Sequence, residues 1–179
     1  MKYIPKVVVN SLYDIDFTTL YEEGFRFIIS DLDNTLASYK EEVPSFELIN
    51  KIKEIKELGF KFYLVSNNKS QRIETFTNML NADGFLAKAE KPRTFKMEKF
   101  LEHENIDVCK LIGIGDQLVT DILGFNRLNA YSILVKTIDK KTQKWYTKIN
   151  RLREIIIIKR IKKENLEIGS KIEKLWVDV

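Results

Sequence analysis

Runs of apolar residues typical of buried strands alternate along the chain with segments whose apolar residues recur at helical spacing. "FRFIIS" predicts the first strand. "SFELINKIKEIKEL" follows with Phe46, Ile49, Ile52 and Ile55 or Lys56 at helical spacing, before Gly59 as a helix terminator. "FKFYLVS" predicts the next strand and "SQRIETFTNML" the next helix, with Ser70 as its N-cap. The alternation continues through "GFLAKAEKP" (strand and loop), "TFKMEKFLEHEN" (helix), "CKLIGIG" (strand), "VTDILGFNRLN" (helix) and "AYSILV" (strand).

Strands that alternate with helices predict an α/β fold, in which helices cover both faces of a mostly parallel sheet. We therefore expect a Rossmann-like, three-layer α/β/α domain. A single domain is expected over residues 1–179, with a core over about 25–135 and an extension over about 136–179. Upstream of the core, "YDIDFTTLYEEGF" predicts a short helix that ends at a glycine.

The extension is harder to interpret. Trp145, Ile149, Leu152 and Ile156 form a helical stripe, which favours a helix, whereas four consecutive isoleucines also favour a strand. We predict a helix. Apolar and basic residues are mixed around its circumference, which argues against a cleanly amphipathic membrane-surface helix.

The amino-acid composition excludes several classes of protein. With 179 residues, 44% of them hydrophobic, the chain is long enough for one sizeable core. The longest aliphatic run has four residues, far below the ~20 that a membrane-spanning helix needs, and the N-terminal apolar run is too short for a secretory signal. Cys109 and His103 are the only residues of their types, so neither an internal disulfide nor a zinc site is expected. We expect a soluble, cytoplasmic protein.

Charge is distributed unevenly along the chain. Residues 136–174 contain 13 Lys and Arg against 5 Asp and Glu, while the rest of the chain has an excess of acids. A basic extension on an acidic body is compatible with an anionic partner, either a membrane surface or nucleic acid. The simpler interpretation, a solvated surface helix, is favoured. A peripheral contact with the inner face of the membrane stays open.

Chemically active residue types follow several of the predicted strands. In an open parallel sheet, ligands bind beyond the carboxyl ends of the strands, so these side chains are expected to converge at one rim. The residues are Asp31 and Asp33, Ser66 and Asn67, Lys91, and Asp116 with Asp121.

These residue types fit the transfer of a phosphoryl group. Asp31 and Asp116 supply the hard oxygen ligands that Mg²⁺ prefers. Lys91 and the Ser66 hydroxyl can neutralise and bind the phosphoryl oxygens. One carboxylate can attack phosphorus while the other transfers protons, and Asp33 is the residue expected to protonate the leaving oxygen and then to deprotonate water.

Four motifs in order, "DLDNT", "SNN", "KP" and "GDQLVTD", resemble motifs one to four of the haloacid dehalogenase superfamily. Longer stretches around the first and fourth motifs resemble YqeG-type phosphatases of subclass IIIA. The resemblance implies an Asp31 nucleophile, an Asp33 acid and base, and Ser66 and Lys91 at the phosphate. We also expect Asn67, beside Ser66, to bind the substrate phosphate. It further implies Mg²⁺ on Asp31, Asp116 and the backbone carbonyl of Asp33, with Asp121 supporting the metal site.

Substrate choice depends on what covers the rim. Superfamily members often insert a cap domain, but the segments that could hold one are too short here, so we expect an open site without a large cap. Relatives of this type are phosphatidylglycerophosphate phosphatases, and the resemblance implies that lipid as the candidate substrate. Two alternatives remain: a soluble phosphatase of sugar or nucleotide phosphates, and, with least support, a non-enzymatic adaptor that binds nucleic acid through the basic extension.

Overall fold

Six parallel strands form the centre of the fold. The computed structural model describes residues 2–139 and 145–177 of the chain. The strands are β1 (Val7–Val8), β2 (Phe27–Ser30), β3 (Lys61–Val65), β4 (Gly84–Leu86), β5 (Leu111–Gly115) and β6 (Tyr131–Leu134). They are ordered β1-β6-β5-β2-β3-β4, and every neighbouring pair is parallel. β2 therefore lies between β5 and β3, and the residues that follow these three strands emerge side by side.

Helices cover both faces of the sheet, as predicted. Successive strand residues pack into different apolar clusters: Ile28 and Phe62 belong to one cluster, and Ile29 and Tyr63 to another. Because neighbouring side chains on a strand point to opposite faces, these clusters lie on the two sides of the sheet. The α/β fold and the mostly parallel sheet are thus confirmed.

Seven α-helices are present among the described residues. They are α1 (Phe17–Glu22), α2 (Phe46–Glu57), α3 (Ser70–Met79), α4 (Phe95–His103), α5 (Leu123–Arg127), α6 (Trp145–Glu164) and α7 (Leu166–Val177). α2 begins where the Ser45 hydroxyl accepts the backbone N–H of Leu48 at 3.2 Å. α3 has Lys69 in its N-cap position, so the prediction of Ser70 as the N-cap is wrong by one residue.

The predicted apolar stripe of α2 is partly wrong. Its buried residues are Leu48, Ile52 and Ile55, whereas Phe46 is 77% exposed. Spacings of four and three residues place Leu48, Ile52 and Ile55 on one face, and Phe46 precedes that face at the first helical position. Ile52 and Ile55 are therefore confirmed as members of the apolar stripe, Ile49 is partly buried against the core, and the prediction of Phe46 is wrong.

The N-terminal segment completes one edge of the sheet. β1 pairs with β6, in register with Ile133 and Leu134. This two-residue strand is too short to give a periodic sequence signal, and it was not predicted. The short helix before the core is confirmed as α1, and the chain leaves it through Gly24 at φ +100°, a backbone conformation that favours glycine.

The extension folds into two consecutive helices, so the alternative of a strand for the four isoleucines is wrong. Ile157, Ile158 and Ile161 are buried in an apolar cluster with Leu118 and Ile122 of the body, together with Leu134 and Ile172. Ile155 and Ile156 remain exposed. Within the described residues, no helix combines the length and the apolar composition needed to cross a membrane.

Candidate active site

The predicted polar residues converge at the carboxyl ends of the central strands. Asp31 follows β2, Ser66 follows β3 and Asp116 follows β5, and all three are buried. A cleft of about 620 Å³ opens at this rim. It is lined by six of the seven predicted residues, Asp31, Asp33, Ser66, Asn67, Lys91 and Asp121. Asp116 lies against this group rather than in the cleft lining, with an oxygen near those of Asp31 and Asp121.

Lys91 lies at the centre of the charged cluster. Its side chain is fully buried, and Nζ donates to Asp31 Oδ1 at 2.6 Å and to the carbonyl of Val65 at 3.1 Å. The same amine lies 2.8 Å from Asp121 Oδ1. Burial lowers the pKa of Lys91, but Asp121 and Asp31 more than offset that effect and hold it above its ordinary value. Lys91 is therefore a permanent positive charge between two carboxylates.

Three carboxylates are close enough to share one cation. Oxygen atoms of Asp31, Asp116 and Asp121 all lie within 4.8 Å of one another, and all three residues are buried. Burial raises the pKa of Asp31 well above its ordinary value, and the pull of Lys91 in the opposite direction is countered by the nearby carboxylates of Asp121, Asp116 and Asp33. A single lysine thus leaves the cluster with excess negative charge. Hard oxygen donors in a buried, anionic group fit Mg²⁺.

Asp116 and Asp121 are held by hydrogen bonds from the segments that follow β6 and β5, respectively. Asp116 Oδ2 accepts the hydroxyl of Thr137 at 2.8 Å, and Asp121 Oδ2 accepts the backbone N–H of Gln117 at 3.0 Å. The chain forms a single π-helical turn over Leu118–Ile122 before α5. A Cβ on Gly115 would lie 2.3 Å from that of Asp121, so a glycine is required there for the carboxylate to reach the cluster.

Asp33 is held by side chains from the next strand and helix. Its Oδ1 accepts Arg72 Nε at 2.9 Å, and its Oδ2 accepts Asn68 Nδ2 at 2.6 Å and the Ser66 hydroxyl at 3.2 Å. Arg72 also donates to the carbonyls of Ser38 (2.8 Å) and Glu41. Arg72 therefore ties the loop after β2 to the carboxylate of Asp33.

Arg72 and Asn68 were missed by sequence reasoning. Asn68 stands inside the "SNN" motif, but nothing in the sequence shows which of its two asparagines faces Asp33. Arg72 lies on α3 and Asn68 in the loop just before that helix, and both side chains donate to Asp33. The sequence feature that could have identified Arg72 is a basic residue one helical turn after the second motif.

Ser66 and Asn67 have different surroundings in the cleft. The Ser66 hydroxyl donates to Asp33 and accepts the backbone N–H of Asn68 at 3.0 Å. The Asn67 side chain makes two hydrogen bonds to the backbone of Lys91, accepting its N–H at 2.7 Å and donating to its carbonyl at 3.0 Å. Asn67 therefore fixes the loop that carries Lys91. Phosphate binding by Ser66 and Asn67 stays a prediction.

The extension forms one wall of the cleft, which was not foreseen. Arg153, Ile156 and Ile157 of α6 line the same cleft as Asp31 and Lys91. Glu154 is fully buried and accepts the backbone N–H of Val119 at 3.2 Å. The structure has no large cap in its described residues, as expected, but the rim is bounded on one side by α6 and is not fully open.

Comparisons with known proteins agree with this geometry. The family described as "Mitochondrial PGP phosphatase" matches residues 1–138. A protein of Bacillus subtilis (strain 168) described as "Probable phosphatase YqeG" is 32% identical over 162 residues, which are 90% of this chain and 93% of that protein. α6 and α7 lie outside the residues that the family matches.

Solved structures share the fold. An uncharacterised protein from Listeria monocytogenes serotype 4b superposes with a TM-score of 0.52 at 20% identity, over 62% of this chain and 78% of that one. A predicted HAD-like family hydrolase from Porphyromonas gingivalis superposes with a TM-score of 0.51 at 12% identity, over 72% of this chain and 97% of that one. At these identities the likeness concerns the fold of the sheet and its helices.

Proposed function

Because the chain belongs to the PGP phosphatase family of the haloacid dehalogenase superfamily, and is thus a phosphoric monoester hydrolase, we propose that it acts with Mg²⁺ through an aspartyl-phosphate on Asp31. We propose phosphatidylglycerophosphate as its substrate. The observation that carries the mechanism is the fully buried Lys91, whose amine lies 2.6 Å from Asp31 and 2.8 Å from Asp121.

The residues present fit the metal that the mechanism needs. Asp31 and Asp116 would hold Mg²⁺ through their carboxylates and Asp33 through its backbone carbonyl, and Asp121 would support them from within the same cluster. When bound, the ion supplies positive charge that neutralises the carboxylates and the phosphoryl oxygens. This need for positive charge follows from the excess of carboxylates over Lys91.

In the first half-reaction an Asp31 carboxylate oxygen attacks phosphorus, and the bond from phosphorus to the leaving oxygen breaks. Asp33 donates a proton to that oxygen, so the leaving group departs as a neutral alcohol. Lys91 orients the nucleophile by donating a hydrogen bond to Asp31 Oδ1, while Thr35 donates to Oδ2 at 3.2 Å. The Asp31 side chain is thus oriented by one contact on each oxygen.

In the second half-reaction water attacks the phosphorus of the aspartyl-phosphate. Asp33, now ionised, accepts a proton from that water, and the bond from phosphorus to the Asp31 oxygen breaks, which restores the Asp31 carboxylate and the protonated Asp33 and releases inorganic phosphate. Three donors fix the Asp33 carboxylate: Arg72, Asn68 and Ser66. They hold it near the cleft for both proton transfers.

A lipid substrate would require the protein to contact an anionic membrane surface. Ile155, Lys159 and Lys163 are exposed on α6, the helix whose Arg153, Ile156 and Ile157 line the catalytic cleft. Each basic residue near an anionic bilayer contributes on the order of 1 kcal/mol to binding. Sedimentation with phosphatidylglycerol vesicles is expected to carry the protein down at low salt. Unchanged partitioning of a Lys159→Glu, Lys163→Glu variant would count against this membrane contact.

Substrate choice is tested by measuring phosphate release from short-chain phosphatidylglycerophosphate beside soluble sugar and nucleotide monophosphates, with Mg²⁺ and with EDTA. The proposal predicts the highest kcat/KM for the phosphatidyl substrate and loss of all turnover in EDTA. If a sugar or nucleotide phosphate has a higher kcat/KM than the lipid, the proposed lipid substrate is wrong and a soluble phosphate is the better candidate. Full turnover in EDTA would refute the role of the metal.

A further inference from the structure

Arg153 differs from the other cations around the catalytic cleft. Lys91 is bound to Asp31 and Asp121, and Arg72, beside the cleft, is bound to Asp33. Arg153 also lines the cleft, yet among the described residues its guanidinium has neither an ion pair nor a hydrogen bond. A cation at a phosphatase cleft that has no partner in the described part of the chain is available for an anionic group of the substrate.

The backbone that carries Arg153 is firmly attached to the body. The adjacent Glu154 is fully buried and bonds to the backbone of Val119. One turn later, Ile157 and Ile158 are buried, and Ile161 is completely inaccessible. The start of the Arg153 side chain is therefore fixed with respect to the cleft, and only its flexible arm can adjust to a ligand.

The cleft also contains a wall of apolar and aromatic side chains. This wall consists of Tyr3, Val119, Leu123, Ile156 and Ile157. The carboxylates and Lys91 that would take the reacting phosphoryl group belong to the polar part of the same cleft. A leaving group that occupies the cleft would meet both the apolar wall and the free guanidinium.

We propose that Arg153 is a specificity-determining residue that binds a second phosphate, a phosphodiester or phosphomonoester, carried by the leaving group of the substrate. This inference rests on the proposed phosphatase function and names the substrate class of the same site. A guanidinium suits this task because its planar donors match two oxygens of a phosphate and it remains charged at all working pH values. The second phosphate can belong to a lipid headgroup or to a soluble molecule.

The test compares kcat/KM for three substrates in the full chain with Mg²⁺. These are dihexanoyl phosphatidylglycerophosphate below its micellar concentration, its deacylated headgroup, which keeps both phosphates, and phenyl phosphate, which has only the reacting one. Arg153→Gln is expected to lower the ratio of kcat/KM for each two-phosphate substrate to that for phenyl phosphate by about tenfold to a hundredfold, as expected for the loss of a charge-assisted hydrogen bond. Arg153→Lys should restore part of the ratio.

Arg160→Gln is the matched control, because Arg160 is exposed on the same helix and does not line the cleft. This variant should keep the wild-type ratios. The inference is overturned if Arg153→Gln keeps them too, if Arg160→Gln loses as much, or if only the acylated substrate is affected. If the wild type does not hydrolyse the lipid but Arg153→Gln lowers the ratio for the deacylated headgroup, the inference stands and the lipid substrate fails. If the lipid is hydrolysed equally well by both proteins, the substrate stands and the inference fails.

Discussion

Replacing Lys91 with methionine removes the single cation from the buried acidic cluster while keeping a long apolar side chain. Asp31 and Asp121 then lose their ion pairs at 2.6 and 2.8 Å, and Asp116 remains beside them. Removing one partner of a buried ion pair costs about 3–5 kcal/mol, because the other charge is left without compensation. For a chain of this length each kcal/mol shifts Tm by about 2–4 °C, so a fall of ~6–20 °C is expected in EDTA at pH 8.

The metal proposal adds a second expectation for the same variant. A divalent cation would replace the missing positive charge, so saturating Mg²⁺ should raise the Tm of Lys91→Met by more than it raises that of the wild type. Hydrolysis should still be lost, because Lys91 also orients Asp31. Differential scanning calorimetry with Mg²⁺ and with EDTA measures both effects.

Lys96→Met provides the matched control. Lys96 pairs with Glu90 at 2.7 Å, but its side chain is 38% exposed, so the same substitution should cost at most about 1 kcal/mol. A Lys91→Met protein as stable in EDTA as Lys96→Met would refute the view that Lys91 compensates the buried carboxylates. An equal Mg²⁺ effect on both variants would refute a shared cation site.

Three further results are expected. Asp31→Asn should abolish Mg²⁺-dependent hydrolysis of an aryl phosphate, and wild-type turnover would remove Asp31 as the nucleophile. Because folding raises the pKa of Asp31, its contribution to stability is fully present below about pH 4 and is lost as pH rises through the higher folded value. Urea unfolding in EDTA should therefore show the wild type losing stability relative to Asp31→Asn as pH rises through that window, and a difference that does not change with pH would contradict this. Ile161→Ala should cost about 2–5 kcal/mol in urea unfolding, because Ile161 is fully buried between the extension and the body; a loss below 1 kcal/mol would show that α6 does not depend on this contact.

Much of the fold was predictable because its strands are short apolar runs separated by helices with clear periodicity. Asp31, Ser66 and Asp116 could be placed together from sequence, since parallel strands bring their carboxyl ends to one edge. The pairing of Lys91 with both Asp31 and Asp121 could not, because it depends on the conformation of two loops. The sequence therefore identified the residues of the site but did not show which of them contact one another.

The extension shows a different limit. A mixed circumference on α6 was interpreted as poor separation of polar and apolar faces, which is correct for a helix in isolation. In the fold, Ile158 and Ile161 pack against the body, Arg153 and Ile156 line the cleft, and Ile157 contributes to both, so different sides of the helix have different surroundings. Such a pattern has no single hydrophobic direction, and only tertiary packing shows what each side contacts.

Trapping the covalent intermediate tests the central claim most directly. Asp33→Asn should still allow Asp31 to attack an aryl phosphate with a good leaving group, but it should slow the attack of water, so phosphoryl-enzyme accumulates in Mg²⁺. Intact mass spectrometry followed by peptide mapping of the quenched protein should find one phosphoryl group, on the peptide that contains Asp31. A phosphoryl group on another residue, or an Asp33→Asn protein that turns over at the wild-type rate, would contradict the account.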